Sequence, residues 1–159
     1  MAPPQTSSWR AARPFAASGA SLLYSGFPRR LPLPAPRILV VDDDETFRLI
    51  ARETLQRKGC QVQEAADGAQ AMEAARRDPP ELILMDVMMP GADGVSMCRE
   101  IRETEGLKKV PILVVTALND PRVLKDAARF GANAHLVKPV DSGVLWETVE
   151  KLLAGAPKN

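Results

Sequence analysis

Ile38-Leu39-Val40-Val41-Asp42-Asp43-Asp44 sets four apolar residues directly against three acids. An uninterrupted apolar run of this length reads as a strand buried on both faces of a parallel sheet, since a strand with one wet face would alternate. The acids mark where the chain leaves the core. Leu82-Ile83-Leu84-Met85 followed by Asp86 repeats the arrangement, Val110 to Val115 leads into Thr116, and Ala134 to Val137 leads into Lys138. Cys60 to Glu64, less apolar, is strand two, so in chain order Ile38 to Val41 is strand one, Leu82 to Met85 strand three, Val110 to Val115 strand four and Ala134 to Val137 strand five.

The stretches between these runs read as helices. Phe47, Ile50, Ala51 and Leu55 fall on one face, with Gly59 placed as a stop. Asp67-Gly68 opens an Ala-rich helix carrying Ala71, Met72 and Ala75, which Asp78-Pro79-Pro80 ends. Val95, Cys98 and Ile101 outline a third helix. Asn119-Asp120-Pro121 pairs a capping acid with a first-turn proline and opens a fourth, bearing Val123, Leu124, Ala127 and Ala128 and ended by Gly131. Asp141 caps a fifth helix with Leu145, Val149, Leu152 and Leu153. Five strand–helix units in alternation give an α/β fold, (βα)5, with a doubly wound five-stranded parallel sheet covered by helices on both faces.

Working outward, 159 residues, 45% of them hydrophobic, suffice for one core, from residue 37 to about 155. Residues 1 to 36 hold seven of the 14 prolines, four Arg, several Ser and no acid, and are expected to be a disordered extension, a functionless tail or a misplaced start, with an interaction tail as the alternative because Trp9, Phe15, Tyr24 and Phe27 are spaced among basic residues. Residues 156 to 159 make a short tail. From Arg37 onward lie 17 of the 21 basic and all 20 acidic residues, a net charge of −3, which gives no electrostatic ground for a nucleic-acid partner. Cys60, Cys98 and the single His135 have no metal-site spacing, and the two thiols are expected to stay reduced in a cytoplasmic protein. No apolar run approaches the roughly 18 residues of a membrane span.

In an open parallel sheet the working groups sit past the carboxyl ends of the strands. Here those ends carry Asp42-Asp43-Asp44, Asp86, Thr116 and Lys138. If strands one and three are neighbours, Asp42, Asp43 and Asp86 converge, and carboxylates so close repel unless a cation joins them. Mg²⁺ suits a shallow set of carboxylates with waters and a phosphate better than calcium or zinc does. A carboxylate can act as nucleophile towards phosphorus, so Asp86 is the candidate phosphoacceptor. Lys138 would supply positive charge, and the Thr116 hydroxyl would donate to a phosphoryl oxygen.

The segments VVDDDE, LILMDVMMPGADG, VPILVVTAL and GANAHLVKPV, in this order and spacing, resemble the receiver domains of bacterial response regulators, the CheY-like superfamily, over residues 37 to 155. The resemblance implies the flavodoxin-like strand order 2-1-3-4-5. It implies phosphorylation of Asp86 and a metal site of Asp42, Asp43, Asp86 and the Met88 backbone carbonyl. Thr116 matches the switch hydroxyl, Lys138 the phosphate-sensing lysine, and Pro139 follows a cis peptide. His135 stands where the family usually has Tyr or Phe, so its imidazole would serve as switch partner with a possible pH dependence. Met88 cannot position a water by hydrogen bonding, which implies a long-lived aspartyl phosphate. A histidine kinase or phosphotransfer protein would be the donor, docking near Arg48 and Arg52. With nothing following Asn159, the expected single-domain protein would be read by another protein at helix four, strand five and helix five. It would be a signalling phosphoacceptor more than an enzyme.

Two alternatives bear on the same residues. Asp42-x-Asp44-x-Thr46 also fits the opening motif of haloacid-dehalogenase-type phosphatases, with Asp42 as nucleophile, but that leaves MDVMMPGADG unexplained. A degenerate receiver serving only as a binding module would lack one or more of the site residues, and none is missing. Asp44 and Glu45 read as helix capping or solvated surface rather than as ligands.

Overall fold

A computed structural model describes residues 34–117 and 119–156, without the side chains of residues 92 and 93. Most of the expected extension over residues 1 to 36, and most of the tail after 155, therefore lie outside the described residues. The strands are β1 (Arg37–Val41), β2 (Gln61–Ala65), β3 (Leu82–Met85), β4 (Ile112–Thr116) and β5 (Ala134–Val137). All pair in parallel in the order β2-β1-β3-β4-β5, the expected 2-1-3-4-5 arrangement. Between them run α1 (Glu45–Arg57), α2 (Gly68–Arg77), α3 (Gly94–Glu103), α4 (Pro121–Arg129) and α5 (Ser142–Gly155). A short antiparallel hairpin pairs Met88–Met89 with Ala92–Asp93 just past β3.

The unbroken apolar runs follow from burial on both sides. Leu39, Val41, Ile83, Met85, Ile112 and Val114 pack against Ala71, Met72, Met97, Cys98, Ile101 and Ala127 of α2, α3 and α4. Their alternates Ile38, Val40, Leu82, Leu84, Leu113 and Val115 pack against Ala51, Leu55, Leu145 and Val149 of α1 and α5. Each strand residue thus meets one helical layer or the other, and truncating a buried leucine such as Leu84 to Ala costs about 2–5 kcal/mol.

The helix starts are set by side chains. Asp44, Asp67, Asp120 and Asp141 each accept a backbone N–H of the following turn, a cap worth about 1 kcal/mol. After α1 the chain turns through Gly59 at φ +87°, a left-handed conformation that glycine adopts without a Cβ penalty.

Several sequence expectations shift. β2 begins one residue later than expected, at Gln61, with Cys60 buried before it. Val110 stays out of β4 because its N–H donates to Leu107 O and Pro111 has no N–H; the ladder starts with Ile83 N bonding Pro111 O. Ile50 is not on the packed face of α1 but 49% exposed, since at 100° per residue it lies about 120° around from the middle of the Ala51–Leu55 stripe. Ala128, expected on the packed face of α4, is exposed. Among the described residues no helix is long and apolar enough to cross a membrane.

Candidate functional site

β1 and β3 are neighbours, and their ends bring the acids together. The Asp42, Asp43 and Asp86 carboxylates each place an oxygen within 4.8 Å of the others. Asp42 and Asp86 are buried and Asp43 is exposed, so the cluster is a shallow pocket with one wet wall. Backbone bonds orient two of the three: Asp42 Oδ1 accepts the Asp44 N–H at 2.9 Å, and Asp86 Oδ1 accepts the Met88 N–H at 2.8 Å. The remaining oxygens turn inward, where Lys138 Nζ lies 2.5 Å from Asp42 Oδ2 and 3.1 Å from Asp86 Oδ2.

Lys138 arrives from the end of β5, tied through its backbone N–H to the Thr116 carbonyl at 2.9 Å, and the Lys138–Pro139 peptide is cis. Thr116 is fully buried at the end of β4. Electrostatics follow from this crowding. Burial raises the Asp42 carboxyl above its ordinary value despite the opposing bonds from Lys138 and Asp44. Burial would lower the Lys138 ammonium, but its bonds to Asp42 and Asp86 outweigh that and leave it raised. Three carboxylates facing one ammonium leave the pocket short of positive charge. A hard divalent cation fits that donor set, and Asp42, Asp43 and Asp86 are the side chains that could hold it.

Every side chain singled out from sequence for the pocket is therefore at one end of the sheet, and Met88 begins the hairpin beside it. His135 is apart from the acids: it is exposed on the edge strand β5, opposite Val114 in the ladder. Asp44 does not face the pocket. Its carboxylate caps α1 by accepting from Thr46 and Phe47, which removes the acid that a phosphatase reading of Asp42-x-Asp44 would employ. Arg48 and Arg52, expected near a docking surface, are both engaged with Glu64 of β2, at 3.7 and 2.7 Å.

Sequence reasoning did not assign two contributors. The Phe47 ring lies under Lys138, with the ammonium 4.3 Å from its centroid, and so shields one side of the charge. Gly94 opens α3 against the backbone of Val87, where a Cβ would fall 2.3 Å from Val87 Cα. The Asp93-Gly94 pair was visible in the sequence, but nothing local says that a second backbone presses against it.

The comparisons with known proteins agree with this geometry. The response regulator receiver domain family matches residues 38–150. The protein PilH of Pseudomonas aeruginosa is 34% identical over 119 residues, covering 75% of this chain and 98% of PilH. The transcriptional regulatory protein AfsQ1 of Streptomyces coelicolor is 37% identical over 118 residues; the match takes in 74% of this chain and spans about half of AfsQ1, 51%. Among solved structures, the receiver domain of a Pseudomonas aeruginosa sensor histidine kinase, with a magnesium ion coordinated in its active-site cleft, superposes with a TM-score of 0.71 at 31% identity, over 76% of this chain and 99% of that one. With the sheet order, the acid cluster and the lysine already in place, the chain belongs to the response regulator receiver domain family.

Proposed function

We propose that this receiver accepts a phosphoryl group on Asp86 from the phosphohistidine of a histidine kinase or phosphotransfer protein, in the cytoplasm. The supporting observation is the convergence of three carboxylates and one ammonium at the strand ends. An Asp86 carboxylate oxygen forms the new P–O bond as the donor's P–N bond breaks and its imidazole takes the electron pair. Mg²⁺, held by Asp42, Asp43, Asp86 and the Met88 carbonyl, would neutralise charge on the phosphoryl oxygens. Lys138 exchanges a carboxylate partner for a phosphoryl oxygen, and the Thr116 hydroxyl donates to another.

The signal is a local change of charge. A phosphoryl group adds about two negative charges at neutral pH, enough to draw Thr116 and Lys138 inward. Thr116 and Lys138 are bonded through the backbone, so the ends of β4 and β5 move together, with His135 as the switch partner on the outer edge. The surface of α4, β5 and α5 is then biased between two states that a downstream protein reads. The Met88 side chain, 52% exposed, offers nothing to orient an attacking water, so the acyl phosphate is long-lived and self-dephosphorylation slow. The reaction is stoichiometric rather than a multiple-turnover activity.

The test is intact-mass spectrometry after incubation with acetyl phosphate, with and without Mg²⁺, beside Asp86→Asn. One added phosphoryl group that requires Mg²⁺ and is absent from the variant is the expected result. No gain by the wild-type chain would sink the reading and leave a binding module.

A further inference from the structure

We propose that Arg48 is a positioning residue of the acidic pocket, acting through the backbone of Asp42; the inference rests on reading Asp42, Asp43 and Asp86 as the Mg²⁺ site. The β1 ladder ends here: Val41 O accepts Asp86 N and Asp42 N donates to Ala65 O, but the Asp42 carbonyl lies beyond the last strand pairing. Arg48 Nη1 donates to that carbonyl at 2.6 Å, reaching back from the first turn of α1. The peptide plane between Asp42 and Asp43 is thereby fixed at its oxygen. That plane sets the direction in which both carboxylates leave the chain.

The arginine is held in turn. Glu64 Oε1 lies 3.7 Å from its Nε, and Glu64 Oε2 takes Arg52 Nη1 at 2.7 Å. The three side chains are only 15%, 24% and 23% exposed for Arg48, Glu64 and Arg52, so this is a packed buttress rather than a waving pair of docking cations. Glu64 stands opposite Val40 in the ladder, one residue before Ala65, whose carbonyl receives Asp42 N. Asp42 is thus tied at both its N–H and its carbonyl to the end of β2, once directly and once through Arg48.

Charge and geometry make opposite predictions, which makes the role testable. A cation near three carboxylates disfavours a second cation, so removing Arg48 should on charge alone tighten Mg²⁺ binding. A lost support for a ligand should weaken it, and removing such outer-shell partners costs about 10–100-fold in metal affinity. In the full-length chain, Mg²⁺ dissociation constants by isothermal titration and metal-free melting temperatures would be compared for wild type, Arg48→Met, Arg48→Lys and the Arg48→Met/Glu64→Gln pair, which keeps local charge balanced. The expected result is Mg²⁺ binding weakened about tenfold in Arg48→Met and in the charge-balanced pair, with partial recovery in Arg48→Lys, which keeps a cationic donor on the same turn of α1. Should Arg48→Met fail to fold, Arg48→Lys and Glu64→Gln carry the comparison through smaller losses of affinity. A lowered metal-free melting temperature with an unchanged dissociation constant is what a purely structural role gives, and it overturns the proposal, as does tighter binding. Absence of Mg²⁺ binding by wild type overturns the metal-site reading and this inference together, whereas equal binding by wild type and the charge-balanced pair overturns this inference alone.

Discussion

The Lys138 ammonium lies 2.5 Å from Asp42 Oδ2, joining the end of β5 to the end of β1 across 96 residues of chain. Its second contact, Asp86 Oδ2 at 3.1 Å, makes it a cation shared by two buried carboxylates. Lys138→Met leaves those acids facing each other, and breaking a buried pair on one side costs about 3 kcal/mol or more. Mg²⁺ would then take over the missing charge. The expected outcome is a lower metal-free melting temperature in the variant, and a larger rise on adding Mg²⁺ than wild type shows. Equal rises in a thermal melt would show that lysine and metal do not serve the same acids.

The strands were legible because Ile38–Val41 and Leu82–Met85 are buried on both faces, and such burial writes itself as an apolar run. The pocket was legible for a related reason: acids directly after those runs have no purpose in the core, so Asp42 and Asp86 stood out at their positions. What stayed hidden depends on contacts across the chain. The exposed placement of Ile50 follows from the rotation of α1 against the sheet, which an apolar list does not fix. Arg48 looked like a surface cation until the chain put Glu64 and the Asp42 carbonyl within its reach. Gly94 had no assigned role in the sequence, since its requirement comes from the Val87 backbone across the turn.

Gly94 gives the second prediction. A Cβ there would meet Val87 Cα at 2.3 Å and Val87 O at 2.9 Å, backbone atoms that cannot rotate aside. Gly94→Ala should destabilise by roughly 1–3 kcal/mol, as overpacked sites do, and push on the segment carrying Asp86 and Met88. Its Mg²⁺ affinity should fall as well. Gly155→Ala is the control, because nothing lies within 4 Å of that Cβ. Denaturant melts showing Gly94→Ala as benign as the control would mean that the α3 start yields more easily than its geometry implies.

Arg102 predicts an effect on stability without one on chemistry. From the end of α3 its guanidinium donates to Val110 O at 2.7 Å, Gly131 O at 2.6 Å and Asn133 Oδ1 at 2.9 Å, and Asn133 Oδ1 also accepts Ile112 N. These groups precede β4 and β5, at the end of the sheet away from the acids. Burial lowers the Arg102 pKa, yet a guanidinium remains charged and forks where an ammonium cannot. Arg102→Lys should therefore lose at least two charge-assisted bonds, about 2 kcal/mol or more in a denaturation series. Phosphoryl uptake on Asp86 at a temperature where both proteins are folded should match wild type. A variant that is stable but slow to take phosphate would instead tie this clamp to the site.

Cys60 carries the pH prediction. Burial, aided by the negative charge of Glu81, pushes its thiol from 9.0 up to about 11. A raised pKa means that the fold favours the protonated thiol, so its contribution to stability is whole below pH 9 and is lost as pH rises through about 11. Between those limits the melting temperature of wild type should fall more steeply than that of Cys60→Ala, in which the Lys138 ammonium and all other groups titrate alike. At pH 8 the same burial should keep the folded protein from reacting with iodoacetamide at Cys60, while the denatured chain takes the label readily. Parallel melting curves for the two proteins between pH 9 and 11, or rapid labelling of Cys60 in the folded state, would place that thiol nearer to water than its position under α1 and β2 allows.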